Sequence, residues 1–136
     1  MKYLLVFNVF VFLVNTAMAV PATVDYVVDG DTFAASVDVG NGATTSVRVR
    51  VINVDTPEIK GACSDEIKRA NQAKDFAKRV LLRGTKVELK NIKDDKYTGR
   101  IDANVILPDG RDFGSVLIDN KLGRRYSGGK RAGWCK

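Results

Sequence analysis

Three short polar segments hold the residues best suited to chemistry. The first is Asp29-Gly30-Asp31-Thr32, in which two carboxylates flank a glycine between two β-prone stretches. An Asp-Gly pair in that position predicts only a turn when it is taken alone. Carboxylate oxygens are, however, the ligands that a hard cation such as Ca²⁺ prefers. The spacing is not that of an EF-hand loop, so a calcium site here would need further ligands from elsewhere in the chain.

The second segment, which runs from Arg50 to Glu58, offers such ligands. Asp55-Thr56-Pro57-Glu58 places two carboxylates around a Thr-Pro pair, directly after an alternating strand pattern. The segment could be a solvated turn, but a proline that fixes the backbone would also hold the two acids in a defined relation. Arg50 and Asp55 are five positions apart and would face opposite sides of a regular strand. They can share one site only if a bulge or a strand end lies between them, and Asn53 is the candidate position.

The third segment, Asp95 to Arg100, precedes a predicted strand that begins at Ile101. It could be a polar hairpin loop. Arg100 follows a glycine that would allow close approach of a ligand, and its planar guanidinium can bond two phosphate oxygens at once. Lys96 and Tyr97 add a charge and a ring on which a base could stack. The segment therefore has the residue types of a phosphate-binding loop.

The composition excludes several classes of enzyme. The chain of 136 residues contains no histidine, which removes Ser-His-Asp and Cys-His hydrolases and zinc sites built on imidazole. Any chemistry must then use carboxylates, guanidinium groups, and a metal or water. The net charge is +6, and residues 121–136 hold six basic and no acidic side chains. Such a cluster favours a polyanionic partner or is simply a solvated surface.

Residues 1–19 predict an export signal. They combine a single lysine, an apolar run too short to span a bilayer, and the small-x-small cleavage site Ala17-Met18-Ala19. We expect a periplasmic or extracellular protein with one domain over residues 20–136, with no membrane association after cleavage, and monomeric. In an oxidising compartment the two cysteines, Cys63 and Cys135, would most simply form one disulfide.

The hydrophobic periodicity predicts the elements that must position these segments. Alternation predicts strands over 23–28, 33–39, 43–54, 85–92 and 101–107, and helical spacing predicts helices over 64–82 and 115–122. Ser64 is the expected N-cap of the first helix. Five strands interrupted by a helix predict an α+β fold, a five-stranded OB-type Greek-key barrel with two or three short helices.

Together the three segments resemble one family closely, the staphylococcal (micrococcal, or thermonuclease) nucleases. These are OB-fold, calcium-dependent phosphodiesterases. The matching residues are Asp29-Gly30-Asp31-Thr32, Arg50 five positions before Asp55-Thr56-Pro57-Glu58, and Asp95-Lys96-Tyr97 with Gly99-Arg100. Their order and the helix between the second and third segments also match, and the resemblance extends over about residues 23–126.

The resemblance implies a role for each matching residue. Asp31, Asp55 and the backbone carbonyl of Thr56 would be ligands of Ca²⁺. Arg50 and Arg100 would bind the scissile phosphate, and Glu58 would act as general base or orient the attacking water. Lys96, Tyr97 and Tyr126 would contact the substrate, while Asp29 would lie near the metal without binding it. Thr98 is an insertion relative to the family pattern. Because Arg100 opens a strand, we expect it to keep its place and the insertion to shift Lys96 and Tyr97.

The function that the resemblance implies is Ca²⁺-dependent hydrolysis of DNA and RNA with low sequence specificity. Cleavage on the 5′ side of the phosphate would leave 3′-phosphate products. Two alternatives stay open at this point. One is an OB-fold module that binds nucleic acid without catalysis. The other is a domain that binds other polyanions at a cell surface, whose binding would be sensitive to salt and indifferent to calcium.

Overall fold

The computed structural model describes residues 18–136. Residues 1–17 of the predicted signal peptide lie outside the described residues. The first strand begins at Val20, which directly follows the predicted cleavage site. Among the described residues, no helix has both the length and the apolar character needed to cross a bilayer.

Residues 18–136 form seven strands and two helices. In order these are β1 (Val20–Asp29), β2 (Thr32–Gly40), β3 (Ala43–Val51), β4 (Val54–Asp55), α1 (Ser64–Val80), β5 (Lys86–Asp94), β6 (Arg100–Ile106), α2 (Phe113–Asp119) and β7 (Arg124–Arg125). Five of the strands close into a barrel in the order β1-β2-β3-β6-β5, in which β1 pairs with β5. The β3–β6 pair is parallel and the other pairs are antiparallel. This closed, mixed, five-stranded barrel with two helices confirms the predicted OB-type α+β fold.

The helices differ slightly from the prediction at their ends. Helix α1 begins after Cys63, which is the N-cap residue, so the prediction that Ser64 caps this helix is wrong. Helix α2 begins two residues earlier than expected, because the Asp112 side chain accepts a hydrogen bond of 2.9 Å from the Ser115 N–H. A carboxylate in this position satisfies a backbone donor that the first helical turn leaves unpaired.

The barrel interior, one face of α1 and the apolar side chains of α2 form the core. Its largest fully buried side chains include Phe33, Leu89 and Phe113. Helix α1 contributes alanines to its buried face, and these let the helix approach the barrel closely. At Gly30 an added Cβ would lie 2.8 Å from the Cβ of Ala73, so the turn between β1 and β2 needs glycine at this position. The core therefore fixes that turn against α1.

The chain beyond β7 has no regular structure. We call residues 127–136 the C-terminal strap. Cys63 and Cys135 form a disulfide with a Cα–Cα separation of 6.1 Å, which confirms the predicted pairing. The disulfide attaches the end of the strap to the residue that precedes α1.

Candidate functional site

The barrel topology brings Asp31, Arg50 and Asp55 together. Strands β2 and β3 are in register with Thr32 opposite Arg50, so the β1–β2 turn lies beside the end of β3. Arg50 Nη1 lies 3.3 Å from Asp31 Oδ2, and Arg50 Nη2 lies 4.0 Å from Asp55 Oδ1. One guanidinium thus faces both carboxylates that the sequence suggested as calcium ligands.

Asn53 resolves the geometric difficulty of placing Arg50 and Asp55 on one side. Strand β3 ends at Val51, and Asn53 has a φ of +67°, in the left-handed region that asparagine tolerates better than most residues. The chain then resumes as β4, where Asp55 pairs with Arg124 of β7. The predicted strand end between Arg50 and Asp55 is therefore present, although the short β4–β7 ladder was not predicted.

The two carboxylates are buried, and one oxygen of Asp55 lacks a hydrogen bond among the described residues. Asp55 is 1% exposed and Asp31 is 6% exposed. Asp31 Oδ2 accepts a hydrogen bond of 3.3 Å from the Thr56 N–H. In the described part of the chain Asp55 Oδ2 accepts no hydrogen bond, and the closest approach of Arg124 is an ion pair of 3.5 Å between Nη2 and this oxygen. A buried carboxylate oxygen without a hydrogen bond is costly unless a cation compensates it.

The oxygen atoms gathered here suit Ca²⁺, with water completing its coordination. They are the carboxylates of Asp31 and Asp55 and the carbonyl oxygen of Thr56, all hard oxygen ligands. Within residues 18–136, no group of three or more acidic, cysteine or histidine side chains is arranged to hold a metal ion. A calcium ion here would therefore depend on two carboxylates, a carbonyl and water, and calcium binding stays a prediction.

Glu58 stands on a loop that a buried acid holds in place. The Glu66 carboxylate is 6% exposed and accepts hydrogen bonds from the N–H groups of Glu58 at 3.2 Å and Ala62 at 3.1 Å. The sequence motifs did not predict this role. A signal for it exists, because Glu66 is the third residue of the helix after the N-cap Cys63, the position from which a glutamate reaches back to preceding N–H groups.

The strap places a further arginine, Arg131, against oxygens of Asp55, Thr56 and Glu58. Arg131 Nη2 contacts Asp55 Oδ1 and lies 3.2 Å from the carbonyl oxygen of Thr56, while Arg131 Nη1 contacts Glu58 Oε1. No local pattern in the sequence indicated this contact. Burial by itself would lower the pKa of Arg131, but the hydrogen bonds to Asp55 and Glu58 raise it above its ordinary value.

Arg100 is anchored by the loop that precedes it. Its Nε lies 2.9 Å from Asp95 Oδ2, and its guanidinium carbon lies 4.7 Å from the centre of the Tyr97 ring. Lys96 Nζ lies 5.2 Å from the same ring. The two cations of the predicted phosphate-binding loop, Lys96 and Arg100, thus both lie near the Tyr97 ring. The shift of Lys96 and Tyr97 that we expect from the Thr98 insertion stays a prediction.

One cavity of about 650 Å³ collects most of the predicted site residues. Those that line it are Asp31, Arg50, Glu58, Lys96, Tyr97, Arg100 and Tyr126. Asp55 and Thr56 are buried and contact Arg131, which also lines the cavity. Cys63 and Cys135 are outside it, as expected for a structural disulfide.

Two further carboxyl groups of this cavity hold protons unusually well. Burial, followed by the nearby charge of Asp31, raises the pKa of Asp29 to about 7. Burial and the hydrogen bond with Asp95 raise the pKa of Asp102 to about 6. Burial disfavours the charged form of a carboxyl group and is the largest cause of both pKa shifts.

Comparison with known proteins agrees with this geometry. No curated protein matches the chain. The family model for staphylococcal nuclease homologues matches residues 48–131, more than half of the chain, and this range contains Arg50, Asp55, Glu58 and Arg100. Such a domain is nuclease-like or binds nucleic acid. The chain therefore belongs to the family of staphylococcal nuclease homologues.

Proposed function

We propose that this protein is an exported, Ca²⁺-dependent nuclease that hydrolyses phosphodiester bonds in DNA and RNA with low sequence specificity. The observation that carries the proposal is the position of Arg50. Its guanidinium faces the buried carboxylates of Asp31 and Asp55 and lines the same cavity as Glu58 and Arg100. A divalent cation, two guanidinium groups and a carboxylate base can together supply the positive charge and the proton acceptor that hydrolysis of a phosphodiester needs.

Asp31, Asp55 and the Thr56 carbonyl would hold the Ca²⁺. When bound, the cation supplies positive charge beside the scissile phosphate. Asp55 Oδ2 supports this assignment, because it is buried and accepts no hydrogen bond among the described residues.

The two arginines stabilise the negative charge that develops on the phosphate. Arg50 is held in place because Nη1 donates to the carbonyls of Val51 at 2.5 Å and Val54 at 3.1 Å. Arg100 is held by Asp95. Such anchoring means that little reorganisation is needed when the phosphate acquires its extra charge. A planar guanidinium also bonds two phosphate oxygens at once, which a lysine cannot do.

Glu58 takes the proton of the attacking water. Its side chain is about half exposed, with 49% of its surface accessible, so water can reach it. The hydrogen bond from its N–H to Glu66 fixes the backbone from which the carboxylate extends. Tyr97, Tyr126 and Lys96 would contact the bases and backbone of the substrate. Stacking on an aromatic ring tolerates any base, which agrees with low sequence specificity.

Export is part of the same proposal. We infer a signal peptide over residues 1–19 and a single nuclease domain over residues 20–136, released as a monomer to the periplasm or the extracellular space. The Cys63–Cys135 disulfide supports an oxidising compartment.

The test is hydrolysis of denatured DNA and of RNA with Ca²⁺ and with chelator. We expect calcium-dependent cleavage, and about a hundredfold loss or more in Arg50→Ala and Glu58→Gln, the range typical of removing one transition-state donor or one general base. Arg111→Ala and Glu88→Gln are matched controls, because both side chains are exposed and lie outside the cavity. Absence of cleavage, together with tight binding that chelator does not weaken, would instead identify a non-catalytic nucleic-acid-binding module.

A further inference from the structure

The C-terminal strap crosses the candidate calcium site. Arg131 contacts Asp55 Oδ1 and Glu58 Oε1, and its Nη2 lies 3.2 Å from the Thr56 carbonyl oxygen. Two of these three oxygens belong to the proposed calcium ligands, and the third belongs to the proposed base. The guanidinium therefore occupies the space in which a cation and its water ligands would lie.

The strap is fastened on the C-terminal side of Arg131 by several independent contacts. The Cys63–Cys135 disulfide fixes its end. Arg124 donates to the carbonyl oxygens of Ala132 and Gly133, the second at 3.1 Å from Nη1. The centre of the Trp134 ring lies 3.7 Å from the guanidinium carbon of Arg124 and 4.9 Å from that of Arg69.

Arg131 and a divalent cation cannot use the same oxygens at the same time. With the strap in place, the guanidinium compensates the buried charge of Asp55. A cation that binds Asp55 and Thr56 must first displace it, so the observed affinity is reduced by the fraction of molecules in which Arg131 is away. A strap tied to the domain keeps the arginine at a high effective concentration, which strengthens the competition.

We propose that the C-terminal strap is a built-in competitor for the cation site, with Arg131 as the competing group and the disulfide as its fastening. This inference rests on the proposed assignment of Asp31, Asp55 and Thr56 as calcium ligands. It assigns Arg131, which the nuclease reaction does not need, a role in setting the calcium concentration at which the site fills. Displacement of Arg131 also frees Glu58, so cation binding and release of the base occur together.

The experiment is a calorimetric titration of Ca²⁺ into the wild-type protein and into Arg131→Gln, without nucleic acid. We expect Arg131→Gln to bind calcium about tenfold more tightly, within the 5- to 150-fold range of typical coupling between competing states. Lys130→Gln is the matched control. Lys130 is the neighbouring cation on the strap, is exposed, and forms no ion pair among the described residues, so this variant should bind calcium like the wild type.

The role of the fastening is tested with Cys63→Ser/Cys135→Ser. This variant should bind calcium more tightly than the wild type, and adding Arg131→Gln to it should bring less further gain in affinity than in the disulfide-bonded protein.

The melting temperature gives a second test of Arg131. In chelator, Arg131→Gln should melt at a lower temperature than the wild type, because Asp55 loses a counter-charge. In saturating calcium that difference should shrink or reverse, since a ligand stabilises most the variant that binds it best.

The outcomes separate this inference from the proposed function. Calcium binding with the same affinity in Arg131→Gln and in the wild type would overturn the competition and leave the calcium site intact. No calcium binding by either protein would overturn both. An equal gain from Lys130→Gln would show a general effect of net charge and would also overturn the competition.

Discussion

The hydrogen bonds of Glu66 predict that replacing one of its carboxylate oxygens lowers the free energy of unfolding substantially. Glu66→Gln keeps the length of the side chain and one oxygen acceptor, but it turns an amide NH₂ towards one of two backbone N–H groups. Those donors belong to Glu58, at 3.2 Å, and Ala62, at 3.1 Å. One hydrogen bond is therefore lost and the other changes from charged to neutral.

The size of the effect follows from these two contacts. A hydrogen bond to a charged group contributes about 1.5–3 kcal/mol, against about 0.5–1.5 kcal/mol for a neutral one. Losing the first and weakening the second gives about 2.5–4.5 kcal/mol. Because a neutral amide costs less to bury than the carboxylate, we expect the lower end, about 2.5 kcal/mol. The loop that carries Glu58 should also lose its fixed position, so nuclease activity should fall as well.

Urea unfolding in chelator measures this directly. A shift of the midpoint at constant slope reports a change in stability alone. Asp65→Asn is the matched control, because Asp65 lies in the same first turn of α1 but is exposed. It should lose only the favourable interaction of its charge with the helix dipole, about 0.3–1 kcal/mol. If Glu66→Gln proves no less stable than Asp65→Asn, the loop is not held by this carboxylate and the reasoning is wrong.

Three further predictions concern packing, pH and the disulfide. Gly123→Ala should destabilise the protein by about 1–3 kcal/mol in the same urea assay, because its Cβ would lie 2.6 Å from Val54 Cγ2; an unchanged midpoint would contradict this. Asp29 has its pKa raised to about 7, so the folded state binds the extra proton and the unfolding free energy should fall as pH rises from about 4 to about 7. In Asp29→Asn, measured in chelator, that slope should flatten, and an unaltered slope would assign it to other groups. Removing the disulfide with Cys63→Ser/Cys135→Ser should lower the free energy of unfolding by about 4 kcal/mol, because the two cysteines are 72 positions apart. A loss below about 1 kcal/mol would show that the disulfide barely restrains the unfolded chain.

Much of the fold could be predicted because its signals are local. Alternation of apolar and basic residues in Val47-Arg48-Val49-Arg50-Val51 marks a strand with one buried face, and the structure buries Val49 and Val51 fully. The alanine spacing of α1 likewise predicts which of its faces meets the barrel. Element ends were less certain, because caps such as Cys63 and Asp112 depend on a few contacts of single residues.

The candidate site was predictable in its residues and only partly in its geometry. The strict period of a strand required a break between Arg50 and Asp55, and asparagine was a suitable residue for it. The left-handed φ of Asn53 is that break. Glu66 has a sequence signal, because it is an acid at the third position of a helix. The hydrogen bonds that make it important, however, depend on how the preceding loop folds.

The sequence by itself determined the strands, the main helix, the disulfide partners and the residue types of the site, because these follow from period, count and chemistry along short stretches of chain. Only the tertiary structure decided which charges meet. Arg131 reaches Asp55 across 76 positions and Glu58 across 73. In the sequence it belongs to a basic tail that resembles a solvated surface. The two-residue β4–β7 ladder and the disulfide bring that tail to the cavity, and a contact between such distant residues depends on barrel closure, which has no local pattern.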